Sequence, residues 1–139
     1  MNVYQTFENV VNHHKGRPAI RYLGETFHYI DLFAYVERLS TGLKSLGIKQ
    51  GDKIILYMPN TPQWIISWLS IQKIGAVAVP IATIYTPRDL RYIAGDSGAR
   101  TIICADSNFG YAKELKEEGA LDIVIVTKMA DLLPRYKWI

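Results

Sequence analysis

The sequence predicts an α/β fold: a parallel sheet flanked by helices, with a small antiparallel hairpin near the N-terminus. Short runs that are apolar at successive positions, such as Ile54-Ile55-Leu56-Tyr57 and Thr101-Ile102-Ile103-Cys104-Ala105, alternate with longer stretches that are apolar at helical spacing. Strands buried on both faces read this way, and helices supply the crossovers between them. The junctions carry turn and capping residues, and neither an internal repeat nor a low-complexity linker divides the chain, so residues 1–139 read as one continuous unit. Right-handed crossovers then leave few topologies.

Residues 4–13 carry Phe7, Val10 and Val11 at a spacing that suits a short helix on the core surface, ended by His13-His14-Lys15-Gly16-Arg17-Pro18. Neighbouring histidines on a helix point about 100° apart and cannot share a metal, so this pair reads as a solvated helix end. Strands at 19–23 and 26–29 flank Gly24-Glu25, with Gly24 at the first central position of a type II′ turn. Residues 31–46 place Leu32, Val36, Leu39, Leu43 and Leu46 on one helical stripe, closed by Gly47. Gly51-Asp52 then turns the chain into a strand at 53–58, stopped by Pro59-Asn60.

The stretch 60–80 organises the rest. Thr61 caps a helix, Pro62 suits its first position because the missing N–H would be unpaired there anyway, and Gly75 closes it in a left-handed turn. This helix is apolar almost all round and is expected to be buried, and 76–79 follows as a short, fully buried strand stopped by Pro80. A membrane span over 64–85 is the rival reading. It would carry Gln72-Lys73 near its middle, where a lysine costs about 2.5–3.5 kcal/mol, and Gly75 and Pro80 would break it.

Beyond Pro80, Thr86-Pro87-Arg88-Asp89 repeats the capping signature and leads a helix that turns Leu90, Ile93 and Ala94 inward until Asp96-Ser97-Gly98. A buried strand at 101–105, a helix at 109–118 with Lys113 and Glu117 one turn apart, and a strand at 122–127 complete the alternation. Residues 129–133 read as the opening of a further helix. The sequence stops on Trp138-Ile139 with no polar tail, which reads as a cut chain.

Composition excludes several classes of function. A net charge of +3 is mild and the Lys and Arg residues are scattered, which gives no footprint for nucleic acid. A membrane surface or an anionic small molecule stays open as a partner. The single Cys104 sits in an apolar run and reads as an inert buried thiol. No basic-then-apolar leader opens the sequence, so a cytoplasmic location is expected. Gly42, Gly47 and Lys49 imitate a phosphate loop, but Ile48 separates glycine from lysine and no Ser or Thr follows. No second ligand stands at metal spacing from His28 or Cys104, so the residues alone name no catalytic group and no metal site.

Two stretches resemble a known family. Glu25-Thr26-Phe27-His28-Tyr29-Ile30-Asp31-Leu32 is similar to the first core motif of the adenylate-forming enzymes, which include acyl-CoA synthetases, luciferases and peptide-synthetase adenylation domains. Gln72-Lys73-Ile74-Gly75-Ala76-Val77-Ala78-Val79-Pro80-Ile81 is similar to their second. Leu46-Gly47-Ile48-Lys49-Gln50-Gly51-Asp52-Lys53 and Met58-Pro59-Asn60-Thr61-Pro62 fall between them in the family's order. Tyr85-Thr86-Pro87-Arg88-Asp89-Leu90 and Asp96-Ser97-Gly98-Ala99-Arg100 look most like the fatty-acyl-CoA synthetase branch and are shared with aryl-CoA ligases; Val126-Thr127-Lys128-Met129-Ala130-Asp131-Leu132 also looks like the fatty-acyl branch. The family usually has Ser or Thr where His28 stands, and an imidazole caps the following helix less well.

The resemblance implies an incomplete part of the large N-terminal domain of an adenylate-forming enzyme. Its parent would be a fatty-acid–CoA ligase that uses ATP, Mg²⁺ and CoA to adenylate a carboxylate and pass the acyl group to CoA. The phosphate-gripping stretch of the family lies beyond residue 139, so the piece itself is expected to be inactive, with no catalytic residue assigned. The resemblance places Lys113 near the CoA phosphates; the reading from the residues alone is a solvated lysine paired with Glu117. Trp64 and Tyr85 fall where an acyl tunnel is conceivable, although core packing is the expectation for both. A stand-alone α/β module that binds a nucleotide or a protein, and self-association through apolar surface, remain as rival readings.

Overall fold

The structure, a computed structural model, describes residues 1–134; the chain end at 135–139, where the sequence reads as cut, lies outside the described residues. Twelve elements run in order: α1 (Val3–His14), β1 (Pro18–Tyr22), β2 (Glu25–His28), α2 (Tyr29–Ser45), β3 (Lys53–Tyr57), α3 (Pro62–Lys73), β4 (Val77–Pro80), α4 (Pro87–Ser97), β5 (Thr101–Ala105), a 3-10 turn (Asp106–Asn108), α5 (Phe109–Glu117) and β6 (Ile123–Thr127). β1 and β2 pair antiparallel, and β4-β3-β5-β6 form a four-stranded sheet in which every neighbouring pair is parallel.

Side chains alternate across a strand, so each central strand feeds two cores. Ile54 and Leu56 of β3, with Ile103 and Ala105 of β5, pack against Leu43 of α2 and Ile71 of α3. Ile55, Tyr57, Ile102 and Cys104 point the other way, against Leu90 of α4 and Leu115 of α5. A third layer covers the far side of α2 and α3, where Tyr4, Phe7 and Val11 of α1 and Phe27 of β2 meet Val36, Ile66 and Leu69. Each fully buried Leu or Ile contributes about 1.5–3 kcal/mol. α2 and α3 meet through serines whose hydroxyls donate to carbonyls: Ser70 Oγ to Ile66 O at 2.7 Å and Val36 O at 3.3 Å, Ser40 Oγ to Val36 O at 2.5 Å.

The same three helices share one polar cluster. Tyr4 of α1 donates its hydroxyl to Glu37 Oε1 of α2 at 2.9 Å. Lys73, in the last turn of α3, forms an ion pair with that oxygen and lies 5.1 Å from the centre of the Tyr4 ring. The lysine hydrogen bond holds the Glu37 carboxyl below its usual range, while burial and then Glu37 push the Tyr4 phenol up.

Four local expectations are corrected, and the weaker imidazole cap expected at His28 is borne out. The hairpin loop is Leu23-Gly24, because Tyr22 pairs with Glu25. Gly24 therefore takes the second central position, and both residues have positive φ, 49° and 78°, the signature of a type I′ turn that leaves Leu23 left-handed. β4 is an edge strand with exposed ends, not a fully buried one, because β5 lies on the far side of β3. Leu46 is 51% exposed, since the helix ends one residue earlier. At the start of α2, Asp31 accepts from the His28 backbone N–H at 2.8 Å, and the imidazole also turns to that carboxylate, at 3.3 Å. Residues 129–133 form turns instead of a helix: Asp131 accepts from Lys128 N at 2.7 Å, and Leu133 N donates to Ala130 O, three residues back.

Two outcomes follow. Leu23→Asn relieves a left-handed leucine that is 56% exposed, and should raise stability by about 1 kcal/mol, a melting shift of roughly 2–4 °C. Folding lowers the Glu37 pKa, so its contribution is complete above the unfolded-chain value near ~4.3 and is lost as pH falls through the lower folded value. The stability gap between the natural chain and Glu37→Gln, read by urea titration, should therefore be widest near neutrality and close in acid.

Candidate functional site

The sheet order reverses its winding between β3 and β5. The chain leaves β3 through α3 on one face and goes to β4, and leaves β5 through α5 on the other face and goes to β6. The loops after the two neighbouring strands therefore diverge, which opens a crevice beyond their carboxyl ends, where open α/β sheets take ligands.

Buried and half-buried polar side chains hold the walls of that crevice. Tyr57, the last residue of β3, donates its hydroxyl to Tyr85 O at 2.5 Å and Thr83 O at 3.3 Å. Asn108, from the turn after β5, donates to Thr83 O at 3.3 Å. Together they fix the loop 81–86, whose tip carries Ile84, 82% exposed. Burial is the main cause that pushes the Tyr57 phenol up, so it remains a donor at neutral pH. On the other side, Gln63 donates Nε2 to Lys128 O at 2.9 Å and thereby ties the first turn of α3 to the exit of β6. Its Oε1 is buried and meets no hydrogen-bond partner among the described residues.

Three cavities open around this scaffold. One of about 450 Å³ lies between the ends of β3 and β4, walled by Pro59, Trp64, Pro80 and Tyr85. A second of about 420 Å³ runs between the hairpin and the start of α3, along Tyr22, Pro62 and Ile65, and the two share Asn60 and Trp64. A small one of about 80 Å³ sits beneath Gln63, between Ala105 and Thr127. A further cleft of about 460 Å³ lies at the opposite, amino-terminal edge of the sheet. The guanidinium there is already committed, since Arg100 donates to both Asp122 oxygens at 2.7 and 3.0 Å and to Gly119 O at 2.9 Å.

The candidate residues are distributed unevenly over this geometry. Trp64 and Tyr85, expected in the core, meet in the larger crevice cavity: Tyr85 is 37% exposed, and Trp64 packs on the core while stacking on Trp68 with ring centres 6.1 Å apart. Lys113 lies on α5 with its side chain 59% exposed and Nζ 3.6 Å from Glu117 Oε1. His13 and His14 are exposed at the end of α1. Cys104 is fully buried, and burial pushes its thiol up to about 11. Tyr57, Gln63 and Asn108 escaped the reading of the sequence. The available signals were a hydroxyl at the end of an aliphatic strand and an amide in the first turn of an apolar helix.

Chemically, the crevice offers apolar and aromatic walls, backbone carbonyls and an amide oxygen. Among the described residues no group of three His, Cys, Asp or Glu side chains converges as a metal site, and no helix is long and apolar enough to cross a membrane.

Comparison with known proteins adds an independent finding. A sequence profile described as AMP-binding enzyme matches residues 7–137. A long-chain-fatty-acid–CoA ligase of Salmonella typhimurium is 32% identical over 98% of this chain, which corresponds to 24% of that ligase. Surfactin synthase subunit 2 of Bacillus subtilis is 35% identical over 73% of this chain and 3% of its own length. Among solved structures, coronafacic acid ligase from Pectobacterium brasiliense superposes with a TM-score of 0.86 at 25% identity, over 100% of this chain and 27% of that one. The chain thus spans about a quarter of the length of the ligases it matches.

Removing the Tyr57 hydroxyl tests how the crevice wall is held. Tyr57→Phe should cost about 1–2 kcal/mol and accelerate amide exchange within 81–86, while the amides of β5 keep their protection.

Proposed function

The chain belongs to the AMP-binding enzyme family, and we propose that it is the N-terminal part of an ATP-dependent fatty-acid–CoA ligase, catalytically silent by itself. The observation that carries this reading is the match to a long-chain-fatty-acid–CoA ligase along 98% of the chain. The cavity between the ends of β3 and β4 agrees in character, because Trp64 and Tyr85 give it an aromatic wall against which an acyl or aryl group can lie. In this reading the parent acts in the cytoplasm on a fatty acid, ATP and CoA, without nucleic acid.

ATP and Mg²⁺ do not fit the residues of this chain. The carboxylates form no metal cluster among the described residues. The N-terminus of α3 is a poor phosphate cradle, since Pro62 has no N–H and the Trp64 N–H already bonds to Thr61. The chain's share of the work is therefore placement. Tyr57 and Asn108 hold one wall, Gln63 holds the exit of β6, and Trp64 presents an apolar surface. Lys113 is the side chain we assign to the CoA phosphates. Its exposed pairing with Glu117 is worth about 0.3–0.5 kcal/mol at most, so an incoming phosphate displaces it easily.

The test has two parts. Pyrophosphate release from ATP plus a long-chain fatty acid should be absent for the 139-residue chain, and turnover like that of a complete ligase would overturn the silence. Titration with a long-chain fatty acid should change the tryptophan emission of the natural chain and not of Trp64→Leu. A response to benzoate alone would move the assignment to the aryl-CoA ligases.

A further inference from the structure

The small cavity beneath Gln63 brings together two buried polar groups whose hydrogen-bonding needs are opposite and unmet. Gln63 is 7% exposed and Thr61 9%. The Gln63 amide cannot be turned round: Nε2 donates to Lys128 O at 2.9 Å and faces Met129 O at 3.4 Å, and exchanging its two ends would set oxygen against both carbonyls. Oε1 therefore stays an acceptor, and it meets no donor among the described residues. The Thr61 hydroxyl accepts from the Trp64 N–H at 3.3 Å to cap α3, and its own hydrogen finds no acceptor among the described residues. Both residues line the same cavity of about 80 Å³, together with Met58, Ala105, Thr127 and Met129. Its walls are the exits of β3, β5 and β6 and the start of α3, all within residues 58–129.

We propose that this cavity is a binding site for one water molecule, which accepts from the Thr61 hydroxyl and donates to Gln63 Oε1. The space is ample, since a water needs roughly 10–15 Å³. A buried donor and a buried acceptor are both costly to leave unpaired, so a water that satisfies the two at once is retained. Chemistry selects it over other small occupants: a sodium, potassium or ammonium ion would suit Oε1 but would give the Thr61 hydrogen no acceptor. Thr127 supplies a third partner. Its hydroxyl hydrogen goes to Asp131 Oδ2 at 3.2 Å, which leaves a lone pair for the second hydrogen of the water. Met58, Pro59 and Ala105 add apolar wall, so the polar corner alone anchors the molecule. The bridge gives α3 and the exit of β6 a second link beside the one that Gln63 makes directly.

Oxygen-17 relaxation dispersion of the 139-residue chain counts internal water oxygens and is blind to hydroxyl exchange, so it tests the site without reference to any activity. Thr61→Val and Gln63→Met should each lower the count by one long-lived water per chain. Thr61→Ser, which keeps both the hydroxyl and the cap, should leave it unchanged, with circular dichroism like that of the natural chain as the control for folding. A crystal structure of the natural chain, which depends on no variant, should show one ordered water within about 3.2 Å of both Thr61 Oγ1 and Gln63 Oε1. A dry cavity in that crystal, a metal ion in place of the water, or a count that Thr61→Val and Gln63→Met both leave unchanged would each overturn the proposal.

Discussion

The whole arrangement depends on the burial of β5 on both faces. All five of its residues are buried, and its neighbour β3 is sealed from Ile54 to Tyr57. A parallel pair of this kind cannot be left half wet, so helices must cover both sides, and the crossovers that bring them there fix the order of the strands. The two cores, the divergent loops and the crevice between β3 and β5 all follow from that requirement. The crevice is thus a geometric product of how the sheet is wound, and its character comes from the few side chains that the winding leaves at its rim.

The helical layer outside the sheet is joined by mixed means. Apolar packing between α1, the hairpin, α2 and α3 does most of the work, while the Tyr4–Glu37–Lys73 cluster fixes how α1 sits across the other two helices. On the opposite surface, Arg91 of α4 reaches Glu114 on α5 and Glu118 at its end, each at 2.6 Å. These charges are largely exposed, so their role is to set angle and register more than to supply stability.

Features decided within a few residues were legible in the sequence. Thr61, Pro62 and Gly75 marked the helix they bound, the Asp89 capping signature started α4, and the apolar runs located β3 and β5. The family was also legible, through two motifs joined in order. Properties set by strand order were not. The run 76–79 looks as apolar as 101–105, yet one lies at an edge and the other at the centre, and nothing local distinguishes them. The exposure of Tyr85, in the loop after that edge strand, has the same origin. The hairpin failed for a different reason: Gly24 suits either central position of a tight turn, and only the pairing of Tyr22 with Glu25 selects the one that strains Leu23. In the crevice, Gln63, Tyr57 and Asn108 act on backbone carbonyls from distant stretches, contacts that no spacing rule reveals.

Cys104 carries a consequence of its own. Its sulfur is shut in the centre of the sheet, where burial pushes the thiol up to about 11, so the reactive thiolate is scarce at neutral pH. Oxidants and alkylating reagents therefore meet it only after the layer of α4 and α5 has come away from β5. The speed at which this thiol is capped is a clock for the opening of that layer, a label already installed by nature on the inner face of the sheet.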